Sequence, residues 1–272
     1  SPTVKAMDLT DRRALVTGAS RGIGAAIARR LSRAGCEVIV AARTTVDLET
    51  IATETGGHAV HLDAADPAQV DGFIDRVEAD RGPIDLLVSN AGVEAMNLID
   101  RTGADEIEHI MRVNLLTPQH LTSQVLPGMI DRGRGHLLYT SSLAATAAAP
   151  AMSVYCASKA GLTRFAESVR MELKNLDVGV TVLHLGPVDT DMWERIESEP
   201  AGRSMLRRGQ CLGYVVTVSS NTVADAAVKA VQRNQREVRL PRRMALAPFI
   251  TGLGTRGQEA ILAGVDPRAD VD

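Results

Sequence analysis

Aromatic side chains are scarce in this chain: Phe, Tyr and Trp make up 3% of its 272 residues. A cage of stacked rings around a ligand is therefore not expected. Cysteine is nearly absent as well. Cys36, Cys156 and Cys211 are odd in number, far apart and without the short spacings of metal clusters, so they read as free thiols of a reducing cytoplasm. The six histidines form no HExxH-type pair, and no metal is expected. No apolar run reaches the roughly 18 residues of a spanning helix. The first eight residues lack the apolar core of a secretion signal, so a cytoplasmic protein is expected, with no membrane partner. Neither sign of charge dominates: 30 basic against 33 acidic residues leave a net charge of −3, which gives no footprint for nucleic acid. The pairs Arg207-Arg208 and Arg242-Arg243 are too short for a polybasic segment.

What the chain does have is hydrophobic bulk, 45% of its residues, arranged as short apolar runs alternating with longer helical ones. Ala14–Thr17, Glu37–Ala41, His58–Leu62, Ile84–Val88, Gly135–Tyr139, Val178–Leu183 and Glu237–Leu240 read as strands. Helices are expected over Ile23–Ala34, ending near Arg81, and over about Asp105–Asp131, Val154–Asn175 and Thr222–Asn234. Runs that are apolar throughout, rather than alternating, belong to strands covered on both faces. The strand-helix repetition then implies an α/β fold: a single-domain, Rossmann-like, doubly wound parallel sheet of about seven strands. Two regions break the rhythm. Residues 191–215 are charged and interrupted by Pro200-Ala201-Gly202, and are expected to form a substrate lid. Residues 242–272 form a C-terminal extension with one apolar piece, Met244–Ile250.

Thr17-Gly18-Ala19-Ser20-Arg21-Gly22-Ile23-Gly24 lies between the first strand and the first helix. Backbone amides at a helix N-terminus bind phosphate, and glycines let a pyrophosphate approach closely. The same residues contain Gly18-Ala19-Ser20-Arg21-Gly22, which fits the nucleophile elbow of a hydrolase. A triad built on Ser20 needs an acid and then a histidine later in the chain, and the last histidine, His184, has no good partner before it. Too little chain also precedes Ser20 for the flanking strands of that fold. The dinucleotide reading is preferred. After the second strand comes Ala42-Arg43, with alanine where an acid would hold a free 2′-hydroxyl. Arg43, with Arg21 in the glycine loop, suits a 2′-phosphate through charge-assisted bonds, so NADP is expected over NAD.

Tyr155 and Lys159 stand four residues apart, on one face of a predicted helix, and Ser142 lies thirteen residues before Tyr155. A free phenol titrates near pH 10, about three units too high for a base in neutral water. An adjacent fixed cation lowers that value, so the pair is expected to be a proton-transfer centre with Ser142 as hydrogen-bonding helper. Ser141 is a neighbour that the thirteen-residue offset does not favour. The ordinary reading of Asn114 is a polar residue that bends its helix, with Pro118 nearby.

With these residues placed, the chain resembles the classical short-chain dehydrogenase/reductase family, over about Leu9 to Leu240. The resemblance rests on the Thr17–Gly24 loop, Asn90-Ala91-Gly92 after the fourth strand, Asn114 in the long helix, Ser142, and Tyr155 with Lys159. It implies reversible hydride transfer between NADPH and a carbonyl. Tyr155 would carry the proton, Lys159 would tune the phenol and hold the nicotinamide ribose, and Ser142 would bond the substrate oxygen. Asn114 would anchor a proton relay. It also implies that Gly18, Ser20, Arg21, Gly22, Ile23 and Gly24 hold the pyrophosphate, and that Asp63 meets the adenine amine. Asn90, Ala91 and Gly92 would pack beside the adenosine, and Val188 and Thr190 would hold the carboxamide. Where the family usually has Pro-Gly, this chain has Leu185-Gly186-Pro187. The pocket residues suggested are mostly small or apolar (Leu143, Ala144, Pro150, Met152, Val188, Met192, Trp193 and Tyr214), with Glu94 the odd member. They favour a small to medium apolar ketone or secondary alcohol. The family pairs its two long helices across a two-fold axis, which implies a homodimer or homotetramer. A non-catalytic NADP-binding sensor is the alternative, and the intact Ser142, Tyr155 and Lys159 count against it.

Overall fold

A computed structural model of the chain describes residues 6–94, 96–190 and 217–241. Its main strands are β1 (Arg13–Thr17), β2 (Glu37–Ala42), β3 (His58–His61), β4 (Leu86–Ser89), β5 (Gly135–Ser142), β6 (Val178–Leu185) and β9 (Glu237–Leu240). They form one seven-stranded sheet in the order β3-β2-β1-β4-β5-β6-β9. Every neighbouring pair in it is parallel. A separate two-stranded ladder joins β7 (Val188–Asp189) to β8 (Val218–Ser219). The strand order reverses between β1 and β4. That switch point leaves a crevice beyond the strands' C-terminal ends, where ligands of such sheets bind.

The strands are uniformly apolar because both faces are covered. Ala14, Val16, Val88 and Leu183 pack toward α1 (Gly22–Arg33), α2 (Thr45–Thr55) and α8 (Ser220–Gln232). Leu15, Leu87, Leu137 and Val180 pack toward α4 (Phe73–Arg81), α6 (Thr117–Asp131) and α7 (Ser153–Glu172). The period-two alternation of a strand sorts these residues between the two layers. Tyr139 is the largest fully buried side chain among the described residues; its hydroxyl shares a 2.7 Å hydrogen bond with Thr122 of α6, so the buried polar atom is satisfied.

The strands fall where the apolar runs place them, and β5 and β6 run on further at their C-terminal ends. The expected long helix from Asp105 to Asp131 is divided. It consists of α5 (Ala104–Met111), one wide π turn (Arg112–Leu116) and α6. Pro118 has no N–H to give to the carbonyl four residues back, at Asn114, and the widened turn lies over that position. Three pieces were not legible in the sequence: α2, the single turn α3 (Pro67–Val70) and the β7–β8 ladder. α2 reads TVDLETIATET, rich in β-branched residues with weak helix propensity. Its helix is held by burying Leu48, Ile51 and Ala52, and it stops at Gly56, whose φ of 62° is left-handed.

No helix among the described residues is long and apolar enough to cross a membrane. The lid expected at 191–215, with Met192, Trp193 and Tyr214, and the extension from 242 lie outside the described residues.

Candidate active site

The glycine loop leaves the C-terminal end of β1 beside that of β4. Gly18 has φ 63°, and a Cβ on it would come 2.7 Å from the Ala91 Cα. A Cβ on Gly24 would sit 2.3 Å from the Gly18 carbonyl oxygen and 2.5 Å from Asn90 Nδ2. Both positions therefore require glycine for steric reasons. Asn90 ties the loop to the sheet. Its Nδ2 donates to the carbonyls of Thr17 and Gly18, both at 3.2 Å, and its Oδ1 accepts from Thr140 of β5 at 3.2 Å. Thr17 Oγ1 in turn accepts from the amides of Asn90 and Ala91. Helix α1 then starts at Gly22, with Arg21 at its N-cap making no side-chain cap and with no acid in the first turn. An uncapped, acid-free helix start facing a glycine cradle suits a phosphate. Thr190 lies over this start: a Cβ on Gly22 would meet its Cγ2 at 3.4 Å.

The Ser20 elbow fails on geometry. A nucleophile elbow strains its serine. Here the left-handed residues of the loop are Gly18 and Gly22, and Ser20 is not among the non-glycine residues with positive φ.

Arg43 is exposed just past the end of β2, next to buried Ala42. Asp63 follows β3; its Oδ1 accepts from the Ala65 amide at 2.9 Å, and its own amide donates to Gln69. Val188 is buried in β7 and packs into the core; Met152 is buried too.

Ser142 is the last residue of β5. Its Oγ accepts from the Ala144 amide at 3.1 Å and lies 3.3 Å from the Leu185 carbonyl. It is also hydrogen-bonded to the Tyr155 phenol. Ser141, one residue earlier, points the other way. It is buried, donates to the Lys159 carbonyl at 3.2 Å and shares a 2.8 Å bond with Thr163, which is a packing role. Tyr155 and Lys159 share one face of α7, with the Lys159 Nζ 5.8 Å from the phenol ring centre. That ammonium is 4% exposed and donates to the Thr140 carbonyl at 3.1 Å.

Asn114, in the π turn, is fully buried and spends its amide on positioning. Its Oδ1 accepts from the Val93 amide at 2.9 Å, and its Nδ2 donates to the Val93 carbonyl at 2.8 Å and to Ser158 Oγ at 3.0 Å. Ser158 passes the link on to the Tyr155 carbonyl at 2.7 Å. The loop after β4 thus closes on α7. A Cβ on Gly92 would lie 3.3 Å from both Asn114 Oδ1 and Lys159 Nζ. Ser158, Val93 and the Thr140 carbonyl were invisible to motif reading, because two of the groups used are backbone and the third is a helix serine.

The electrostatics depart from the sequence expectation. Burial pushes the Tyr155 phenol up to about 12; the Ser142 hydrogen bond opposes this, while Glu94 and Cys156 add to it. The phenol is therefore not held below its ordinary value by the lysine. Burial lowers Lys159 to about 8, partly countered by Glu94. The physical reason is that the ammonium is itself desolvated and turned to the Thr140 carbonyl, so it is a weakened cation more than 5 Å from the ring. In this state Tyr155 is a proton donor at neutral pH.

Residues 12–201 match the family model described as short chain dehydrogenase. The chain is 34% identical over 201 residues to a 3-oxoacyl-[acyl-carrier-protein] reductase of Haemophilus influenzae, covering 70% of this chain and 83% of that protein. It is 32% identical over 235 residues to a ketoacyl reductase of Nostoc sp., covering 85% and 78%. Among solved structures, a metagenomic short-chain oxidoreductase in complex with NADP superposes with a TM-score of 0.70 at 30% identity, over 86% of this chain and 98% of that one.

Proposed function

The chain belongs to the short chain dehydrogenase family, and from that premise we propose that it is an NADP-dependent oxidoreductase interconverting a carbonyl compound and an alcohol. The observation that carries the reading is the convergence of Ser142, Tyr155 and Lys159 at the C-terminal end of β5, beside the Gly18–Gly24 cradle.

NADP fits the residues present. The pyrophosphate would lie against the amides of Ser20 to Gly24, at a helix start with no side-chain cap. Arg43 and Arg21 would hold the 2′-phosphate, with Ala42 placing no carboxylate against it. Asp63 would meet the adenine amine, Asn90 to Gly92 the adenosine side, and Val188 and Thr190 the carboxamide. When bound, NADPH supplies hydride to the carbonyl carbon.

The chain's own residues handle the oxygen and the proton. Ser142 Oγ, which already accepts from the Ala144 amide, turns its hydrogen to the substrate oxygen. Tyr155, protonated at neutral pH, gives its proton to that oxygen as negative charge builds on it. In the reverse direction the phenol must first lose its proton, and the Lys159 ammonium, 5.8 Å from the ring centre, is the cation facing the resulting anion. Asn114 holds the loop and the helix in register, and is the proposed start of the proton relay behind Lys159.

Leu143, Ala144, Pro150 and Met152 follow Ser142 in the chain and are the proposed walls of a pocket for a small to medium substrate that is apolar around its reacting carbon. We assign the two long helical segments, α5 through α6 and α7, to a homodimer or homotetramer interface and the protein to the cytoplasm. A panel of ketones and secondary alcohols assayed with NADPH and NADP tests the function. Carbonyl-dependent oxidation of NADPH is expected, and binding of NADPH without turnover on any member would leave only the sensor alternative.

A further inference from the structure

Thr140 of β5 touches both halves of the site. It is buried, and it is the first residue of β5 beyond the ladder with β4, whose last pair is Ser89 with Tyr139. Its backbone carbonyl accepts from Lys159 Nζ at 3.1 Å, and the next residue, Ser141, donates to the Lys159 carbonyl at 3.2 Å. The end of β5 therefore grips the lysine by its side chain and by its backbone. The Thr140 hydroxyl serves the other half: Oγ1 donates to Asn90 Oδ1 at 3.2 Å. Asn90 Nδ2 has two hydrogens and gives them to the carbonyls of Thr17 and Gly18, both at 3.2 Å. Those carbonyls open the glycine loop. The fit there is tight, since a Cβ on Gly24 would lie 2.5 Å from Asn90 Nδ2 and 2.3 Å from the Gly18 oxygen.

We propose that Thr140 is a positioning residue that joins the glycine cradle to Lys159: its hydroxyl sets NADPH affinity through Asn90, and its carbonyl sets turnover through the lysine. The proposal rests on the dehydrogenase reading above and deepens it. An amide held at three points, Thr17, Gly18 and Thr140, has one orientation. Without the hydroxyl, Asn90 Oδ1 loses that donor, and the amide is left with its two bonds to the loop. The loop carbonyls then have more freedom to shift, and with them the amides at the start of α1 that suit a phosphate. Thr140 in turn loses its tie to the cradle. Its carbonyl, which aims the Lys159 ammonium, is then held by β5 alone. A small displacement there is felt as rate, because reacting groups must be held in place.

The test uses the full chain. Thr140→Val removes the hydroxyl at nearly constant shape and keeps the carbonyl. Fluorescence titration with NADPH is expected to show binding about three- to tenfold weaker, the weight of one neutral hydrogen bond. At saturating NADPH, kcat for the panel ketone that wild type reduces fastest should fall by a similar factor. Thr140→Ser keeps the hydroxyl and drops the methyl, so it should bind and turn over like wild type. In an Asn90→Ala background, Thr140→Val should weaken NADPH no further, because the hydroxyl acts through that amide. Wild-type affinity or wild-type kcat in Thr140→Val overturns the proposal. So does a serine variant as impaired as the valine one, which would make packing the cause, or an undiminished loss of affinity in the Asn90→Ala background. Failure of the dehydrogenase reading would look different: Tyr155→Phe would turn over as fast as wild type, whatever stands at position 140.

Discussion

Replacing Asn114 by alanine tests whether one buried amide holds the catalytic loop. The side chain makes three hydrogen bonds, two to Val93 and one to Ser158, and is fully buried. At about 0.5–1.5 kcal/mol each, with Val93 left partly unpaired, the loss comes to roughly 2–4 kcal/mol. For a domain of this size, that corresponds to a fall in Tm of about 5–15 °C. Denaturant unfolding measures it through the midpoint at constant slope. Asn114→Asp has the same shape and separates packing from hydrogen bonding. Its second oxygen would face the Val93 carbonyl, where Nδ2 now donates at 2.8 Å, so it should cost at least as much as alanine. Since the same amide sets the loop against Lys159, kcat should fall about 10- to 100-fold, as for a small misplacement of reacting groups. NADPH affinity should hardly change. An alanine variant within about 0.5 kcal/mol of wild type, or an aspartate variant as stable as wild type, would refute the reasoning.

Gly24→Ala drives a Cβ to 2.3 Å from the Gly18 carbonyl, a backbone atom that cannot step aside. It should weaken NADPH binding in a fluorescence titration and cost about 1–3 kcal/mol of stability; unchanged binding would count against the cradle. Lys159 is lowered to about 8 while Tyr155 stays protonated to about 12, so reductive turnover should decline as pH rises through 8. A rate flat to pH 10 would show that the ammonium charge is not needed. His136 is 1% exposed, and burial, with Arg170, pushes it down to about 3. Its unfolded form takes up a proton near pH 6.5, so stability is lost as pH falls from there toward 3, on the order of 5 kcal/mol in all. His136→Gln, which can still donate to Thr181, should flatten that acid limb. An acid midpoint identical to wild type would contradict it.

Much of this molecule was legible because its informative residues obey short-range rules. The strands β1, β2 and β4 are doubly covered, so their sequences are apolar throughout and stand out without any knowledge of their partners. The glycines at 18 and 24 mark close approaches that exclude any side chain. Tyr155 and Lys159 share a helix face at a fixed spacing. What was not legible depends on distant partners. The β-branched residues of TVDLETIATET make its helix signal weak; α2 is held because the sheet offers Leu48 and Ile51 a surface. The π turn looks like ordinary helix until Pro118 and the Val93 clamp are seen together. The sign of the Tyr155 shift is hidden for the same reason. Spacing reports that a cation is near, but not that the cation is desolvated and bonded to Thr140 while the phenol itself is buried.

Tyr155→Phe removes the hydroxyl and little else, which makes its single-turnover rate the most direct measurement. With NADPH bound as tightly as by wild type, carbonyl reduction should fall by roughly 10²–10⁴, the contribution of a placed acid. Reduction at the wild-type rate would mean that the proton reaches the substrate from some other group.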